Sequence, residues 1–184
     1  MKSISLFIGF FLLVSYSVTS QNKYYTKTGK IGFEASVPSF EEVKAENNTT
    51  TAILNIETGE IAALSLIKGF RFKVALMEEH FNESYAESDK YPKATFSGKI
   101  QNYETGSFTK NPTEFSIVGK LTFHGKTVAI NTSAIISMNK NEIEFNSEFT
   151  AKPEEFDIKL PKVVRYKVAE TVDVSIHFKL VPKN

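Results

Sequence analysis

Every second residue from Val168 to Leu180 is apolar except Glu170: Val168, Val172, Val174, Ile176, Phe178 and Leu180 share one phase. Thr171, Asp173, Ser175, His177 and Lys179 occupy the other. A period of two puts successive side chains on opposite faces of an extended strand, so this stretch predicts a strand with one face buried and one in water. The alternation recurs. Ile31, Phe33, Ala35 and Val37 carry it, and so do Phe115, Ile117, Gly119, Leu121 and Phe123. It continues at Val128, Ile130, Thr132, Ala134, Ile136 and Met138, then at Ile143, Phe145, Ser147 and Phe149. Turn residues separate the runs at Glu57-Thr58-Gly59, His124-Gly125-Lys126 and Asn139-Lys140-Asn141. Short spacing with one-sided patterning favours an antiparallel meander or barrel over a parallel α/β sheet.

One segment has a different period. In Val74–Tyr85 the apolar residues Val74, Met77, Phe81 and Tyr85 stand three, four and four apart, which places them on one helical face. Glu78, Glu79 and Glu83 fall elsewhere on that helix, and Pro92 stops its continuation. The spacing predicts a short amphipathic helix across a barrel end, either as core filling or as a lid over a cavity.

The N-terminus has its own pattern. Lys2 is followed by the apolar run Leu6–Val14 and then by small polar residues ending at Ser20. This reads as a secretory signal over residues 1–20, with a single barrel domain over 21–184. The apolar run is shorter than a membrane-spanning helix needs, and no later run is longer. An exported protein, periplasmic or extracellular, is the expectation.

Composition narrows the functions. There is no cysteine, which removes disulfides, thiolate metal sites and a thiol nucleophile. The chain has 22 basic and 21 acidic residues; loss of Lys2 with the signal leaves 21 of each, without the basic excess of a nucleic-acid binder. Sixteen Phe and no Trp supply apolar area with no hydrogen-bonding requirement. His80, His124 and His177 have no short metal-ligand spacing, so neither a metal nor a cofactor is expected. Gly125-Lys126-Thr127 resembles the end of a phosphate loop, but position 120 is Lys where that loop needs Gly, and a strand follows instead of a helix. No nucleophile-elbow pattern is present, so no catalytic residue is assigned and an enzyme is not expected.

Several stretches carry a family resemblance. Ala75–Phe81 followed by Tyr91-Pro92-Lys93-Ala94-Thr95-Phe96 resembles the helix and next strand of the YceI-like family. Val118–Gly125 is similar to that family's G-x-L-T-[IF]-H-G hairpin, and Phe149, Phe156–Pro161 and Val168–Leu180 are similar to its closing strands. At the first strand, where members commonly carry Trp and a His-Ser pair, this chain has Tyr24-Tyr25 and Thr28-Gly29-Lys30. The resemblance implies a lipocalin-like antiparallel barrel of about eight strands that binds a polyisoprenoid or other amphiphilic lipid in its lumen, as carrier or sequestering protein. It also allows a homodimer, which the residues themselves do not specify. Candidate lumen residues are Phe33, Met77, Phe81, Phe96, Phe123, Ile130, Phe145, Phe149, Val174, Ile176 and Phe178. Ordinary core packing is the competing reading for each one. A solid-cored interaction or stress-related scaffold, and an enzyme at the barrel mouth, are the alternatives for the whole chain.

Overall fold

The structure, a computed structural model, describes residues 22–38, 40–162 and 165–183. The expected signal segment, residues 1–20, lies outside the described residues. Eight long strands follow one another as β1 (Lys23–Ser36), β2 (Lys44–Asn55), β3 (Glu60–Leu66), β5 (Lys93–Ile100), β6 (Thr113–Phe123), β7 (Lys126–Asn139), β8 (Glu142–Ala151) and β9 (Val168–Pro182). Each pairs antiparallel with the strand before and after it, and β9 returns to pair with β1 through Ile31↔Ile176 and Phe33↔Val174. The sheet therefore closes into the barrel expected from the alternation, with no long unpaired edge. A two-residue strand, β4 (Arg71–Phe72), adds to β2 through Ala45↔Phe72.

Meander order puts connections alternately at two ends. One end carries the β2–β3 and β7–β8 turns, the β5–β6 loop and both ends of the barrel chain. There Tyr24 is paired with Pro182, and Lys183 N–H donates to the Lys23 carbonyl at 2.8 Å. The other end carries the β1–β2 loop, the helical β3–β5 connection, the β6–β7 turn and the β8–β9 segment. The β6–β7 turn needs only two residues, His124 (φ 49°) and Gly125 (φ 74°). Positive φ at both is the hairpin geometry that matches the twist of the flanking strands.

The first end is solid. Leu54, Ile61, Ile100, Ile117, Ile136, Ile143, Phe145, Phe178 and Leu180 form one buried cluster, with Phe145 and Phe178 stacked at 5.8 Å between centroids. Tyr103 and Phe108 of the β5–β6 loop plug it from outside, their rings 5.3 Å apart. The Tyr103 hydroxyl donates to the Ile56 carbonyl at 2.6 Å, and burial pushes that phenol's pKa up. Polar residues lie above this plug. Thr50 and Ser65 are buried and share a 2.7 Å hydroxyl–hydroxyl bond, and buried Asn47 donates to the Leu66 carbonyl at 2.9 Å. Their hydrogen bonds are what permit polar side chains inside the barrel wall.

The expected helix is present as α1 (Ala75–His80), prolonged by one π turn, Phe81–Tyr85. Six α-helical residues are too few to be stable in isolation, and no side chain caps the N-terminus. Contacts hold it in place. Glu78 accepts from the Arg71 guanidinium at 2.8 Å and from the Phe72 backbone N–H at 3.1 Å, tying α1 to β4.

Candidate functional site

Above the solid half the barrel is hollow. A cavity of about 470 Å³ opens at the end that carries α1. Three strands contribute pairs of apolar side chains to it: Phe33 and Ala35 from β1, Leu121 and Phe123 from β6, Val172 and Val174 from β9. On β6 and β9 they continue the inward phase that, at the other end, supplies the buried core, whereas on β1 register shifts between Thr26 and Ile31 change the phase, so that Tyr24 serves the core and Phe33 the cavity.

Four phenylalanines build one wall. Phe81 lies 5.3 Å from Phe33, 6.0 Å from Phe70 and 5.2 Å from Phe72, with tilted or edge-on rings. Phe33 in turn sits 5.4 Å from Phe70 and 5.7 Å from Phe72. Tilted and edge-on ring pairs are favoured by the quadrupoles of the rings. Met77, Phe81 and Tyr85 face the cavity from the helix and π turn, each four residues after the last. The opposite wall is made by Phe156, Ile158 and Leu160, at and just beyond a 3₁₀ turn, Pro153–Phe156. At the rim, exposed Phe40 and Tyr166 meet edge to face at 5.6 Å. Glu41, His80 and Lys167 are the charged or titratable side chains of the lining apart from Tyr85.

The walls are joined at His124. One of its ring nitrogens, Nε2, lies 2.6 Å from the Glu87 carboxylate, and the other, Nδ1, lies 2.8 Å from the Phe156 carbonyl oxygen. The Tyr91 ring packs edge-on against the imidazole at 4.7 Å. One imidazole thus ties together the segment after the helix, the β6–β7 turn and the 3₁₀ turn. Glu87, His124 and Asp157 all have positive φ (43°, 49° and 58°) without being glycine. Three uncommon backbone conformations so close together show that this joint is held by its surroundings. Beside it, Lys126 pairs with Asp157 at 2.7 Å. The hydrogen bond from that lysine, reinforced by its charge, holds the Asp157 carboxyl below its ordinary pKa.

Of the lumen candidates, Phe33, Met77, Phe81, Phe123 and Val174 line the cavity. Phe145 and Phe178 belong to the solid cluster, and Phe96 and Ile176 pack against it from above. Ile130 is buried within β7, and Phe149, partly buried on β8, pairs with Val174 without lining the space. Sequence reasoning passed over Phe70 and Phe72, and also Phe156, Ile158 and Leu160. Both sets alternate apolar and polar residues, but in runs too short to stand out. Among the described residues no cluster of His, Asp or Glu could hold a metal ion, and no helix is long and apolar enough to cross a membrane.

Residues 17–180 match a protein-family model described as a YceI-like domain. Among solved structures, the chain is similar to a polyisoprenoid binding domain from Saccharophagus degradans implicated in plant cell wall breakdown, at 11% identity and a TM-score of 0.76. That match covers 89% of this chain and 99% of the other. It is also similar to Burkholderia cenocepacia BcnA, at 15% identity and a TM-score of 0.68, over 83% of this chain and 96% of that one. A third likeness is to the Campylobacter jejuni YCEI protein, at 16% identity and a TM-score of 0.63, over 80% of this chain and 90% of that one. At such identities the structural likeness is one of fold. No curated protein matches the chain.

Proposed function

Because the chain belongs to the YceI-like family, we propose that it is an exported binding protein that carries or sequesters a polyisoprenoid or similar amphiphilic lipid in the hollow half of its barrel. The observation that carries this reading is the division of one lumen into a solid half and an open apolar half of about 470 Å³. A cavity of that size with few polar groups suits a small apolar ligand. The polyisoprenoid binding domain from Saccharophagus degradans, alike in fold, supports the ligand class.

In this reading Phe33, Met77, Phe81, Phe123 and Val174 touch the ligand, while Phe96, Ile130, Phe145, Phe149, Ile176 and Phe178 pack outside the cavity lining and support it. Binding is passive. Each Å² of tail removed from water contributes about 25 cal/mol, and no bond is made or broken. The tail enters past α1, which has no fully buried residue of its own and depends on the four-ring contact to stay down. The polar head stays at the rim with Glu41 and Lys167.

Native mass spectrometry of the protein purified from a bacterial periplasm, followed by solvent extraction of the bound material, tests this. A stoichiometric prenyl or other long apolar compound is the expected result. A protein that arrives empty and refuses added prenyl quinones overturns the carrier reading and leaves an interaction scaffold in its place.

A further inference from the structure

Between the hollow half and the solid cluster stands Phe96. Phe96 lies in the inward phase of β5, at the level of Leu121, which faces it across the β5–β6 pair. Its ring does not line the cavity. It turns down toward the solid cluster and lies over Gly98 and Gly119, which pair with each other one step closer to the core. A Cβ on Gly98 would come within 2.6 Å of Phe96 Cζ, and one on Gly119 within 2.4 Å of it. The ring therefore occupies the space that two missing side chains leave. Leu121, level with Phe96, and Ala94 and Phe123, one level up, are cavity wall; one level below the glycine pair, Ile100 and Ile117 are buried core. On β9 the same boundary falls between Val174, which lines the cavity, and Ile176, which packs on the core.

We infer that Phe96 sets the length of tail the barrel accepts, and that the ligand class is a single-tailed amphiphile with about sixteen carbons inside. The inference rests on the carrier reading above. A methylene takes up about the volume of a water molecule, ~30 Å³ in the liquid, so the 470 Å³ cavity holds roughly sixteen such units. Three prenyl units, or a straight acyl tail of palmitoyl length, match that volume. Longer tails leave their excess in water at the mouth, where further carbons add nothing to affinity. Tails shorter than the limit gain about fourfold in affinity for each methylene added, the binding equivalent of burying that group.

The test is competition, read by native mass spectrometry on the delipidated full-length mature protein. One arm uses straight-chain fatty acids and the other prenyl alcohols of two to nine units. Affinity is expected to rise with length and level off near sixteen carbons in whichever arm fits the lumen. In Phe96→Ala the plateau should move out by several carbons, and in Phe96→Leu, which preserves most of the packing, by fewer. Affinity that climbs through nine prenyl units in the wild type overturns the length limit and leaves the carrier reading intact. A folded Phe96→Ala with an unmoved plateau overturns the role of Phe96. Failure of every chain in both arms overturns the carrier reading itself.

Discussion

Adding one methyl group at Gly119 tests how tightly Phe96 is seated on the glycine pair. In Gly119→Ala the new Cβ would meet Phe96 Cζ at 2.4 Å and the Ser97 carbonyl oxygen at 2.7 Å. The two collisions differ in kind. The ring can swing upward toward the cavity, whereas Ser97 belongs to a strand held in register on both sides. Overpacking of this kind costs about 1–3 kcal/mol. We expect about 2 kcal/mol for Gly119→Ala, equivalent to roughly 4–8 °C in Tm for a domain of this size. Phe96→Ala alone should cost about 3 kcal/mol, the low end for losing a phenylalanine, because the side chain is only partly buried. The two losses should not add. With the ring gone, only the backbone collision remains, so the double variant should be more stable than the sum predicts by at least ~1 kcal/mol. Urea unfolding of the four proteins measures this coupling. Additivity within ~0.5 kcal/mol would show that the ring does not rest on Gly119, and the account of how Phe96 is seated would fail.

Phe81→Ala should release the helix without opening the barrel. Amide exchange of residues 75–85 should speed up while the strands keep their protection, and unchanged exchange there would refute the idea that the four-ring contact holds α1 down. His124→Ala should cost about 1–3 kcal/mol, because Glu87 and the Phe156 carbonyl lose a shared, largely buried partner, and a melting temperature equal to wild type would contradict that joint. Asp157→Asn keeps a residue that tolerates positive φ and removes the charge paired with Lys126. Since the Asp157 pKa is lowered on folding, its contribution is present above the ordinary carboxylate value near 4 and is lost as pH falls through the folded value. The stability gap between this variant and wild type should therefore close in acid, and also in high salt, as a surface pair requires. A gap that persists in acid would mean that the charge is not its source.

The strands were legible because a closed barrel with one wet face writes a period of two into the chain. The turns at Glu57–Gly59, His124–Lys126 and Asn139–Asn141 were legible from their residue types, and α1 from the three- and four-residue spacing of Val74, Met77, Phe81 and Tyr85. β2 was harder to see. Its inward positions include Asn47 and Thr50, whose burial depends on partners elsewhere in the barrel, so the alternation looks broken in the sequence. Depth was not legible at all. Phe145 and Phe33 have the same chemistry and the same inward phase, yet one is solid core and the other is cavity wall. What separates them is the volume supplied by neighbours far apart in sequence, such as the glycine pair under Phe96. The π turn after α1 was equally hidden, since Phe81 and Tyr85 suit either helical geometry.

Both ends of the barrel chain leave from the plugged end, held side by side by the Lys183–Lys23 bond, while the mouth lies at the far pole. A tag, fusion partner or surface linkage attached near Asn22 or Lys183 therefore points away from the opening. A layer of this protein immobilised through either end would present every mouth outward, toward the solution above it.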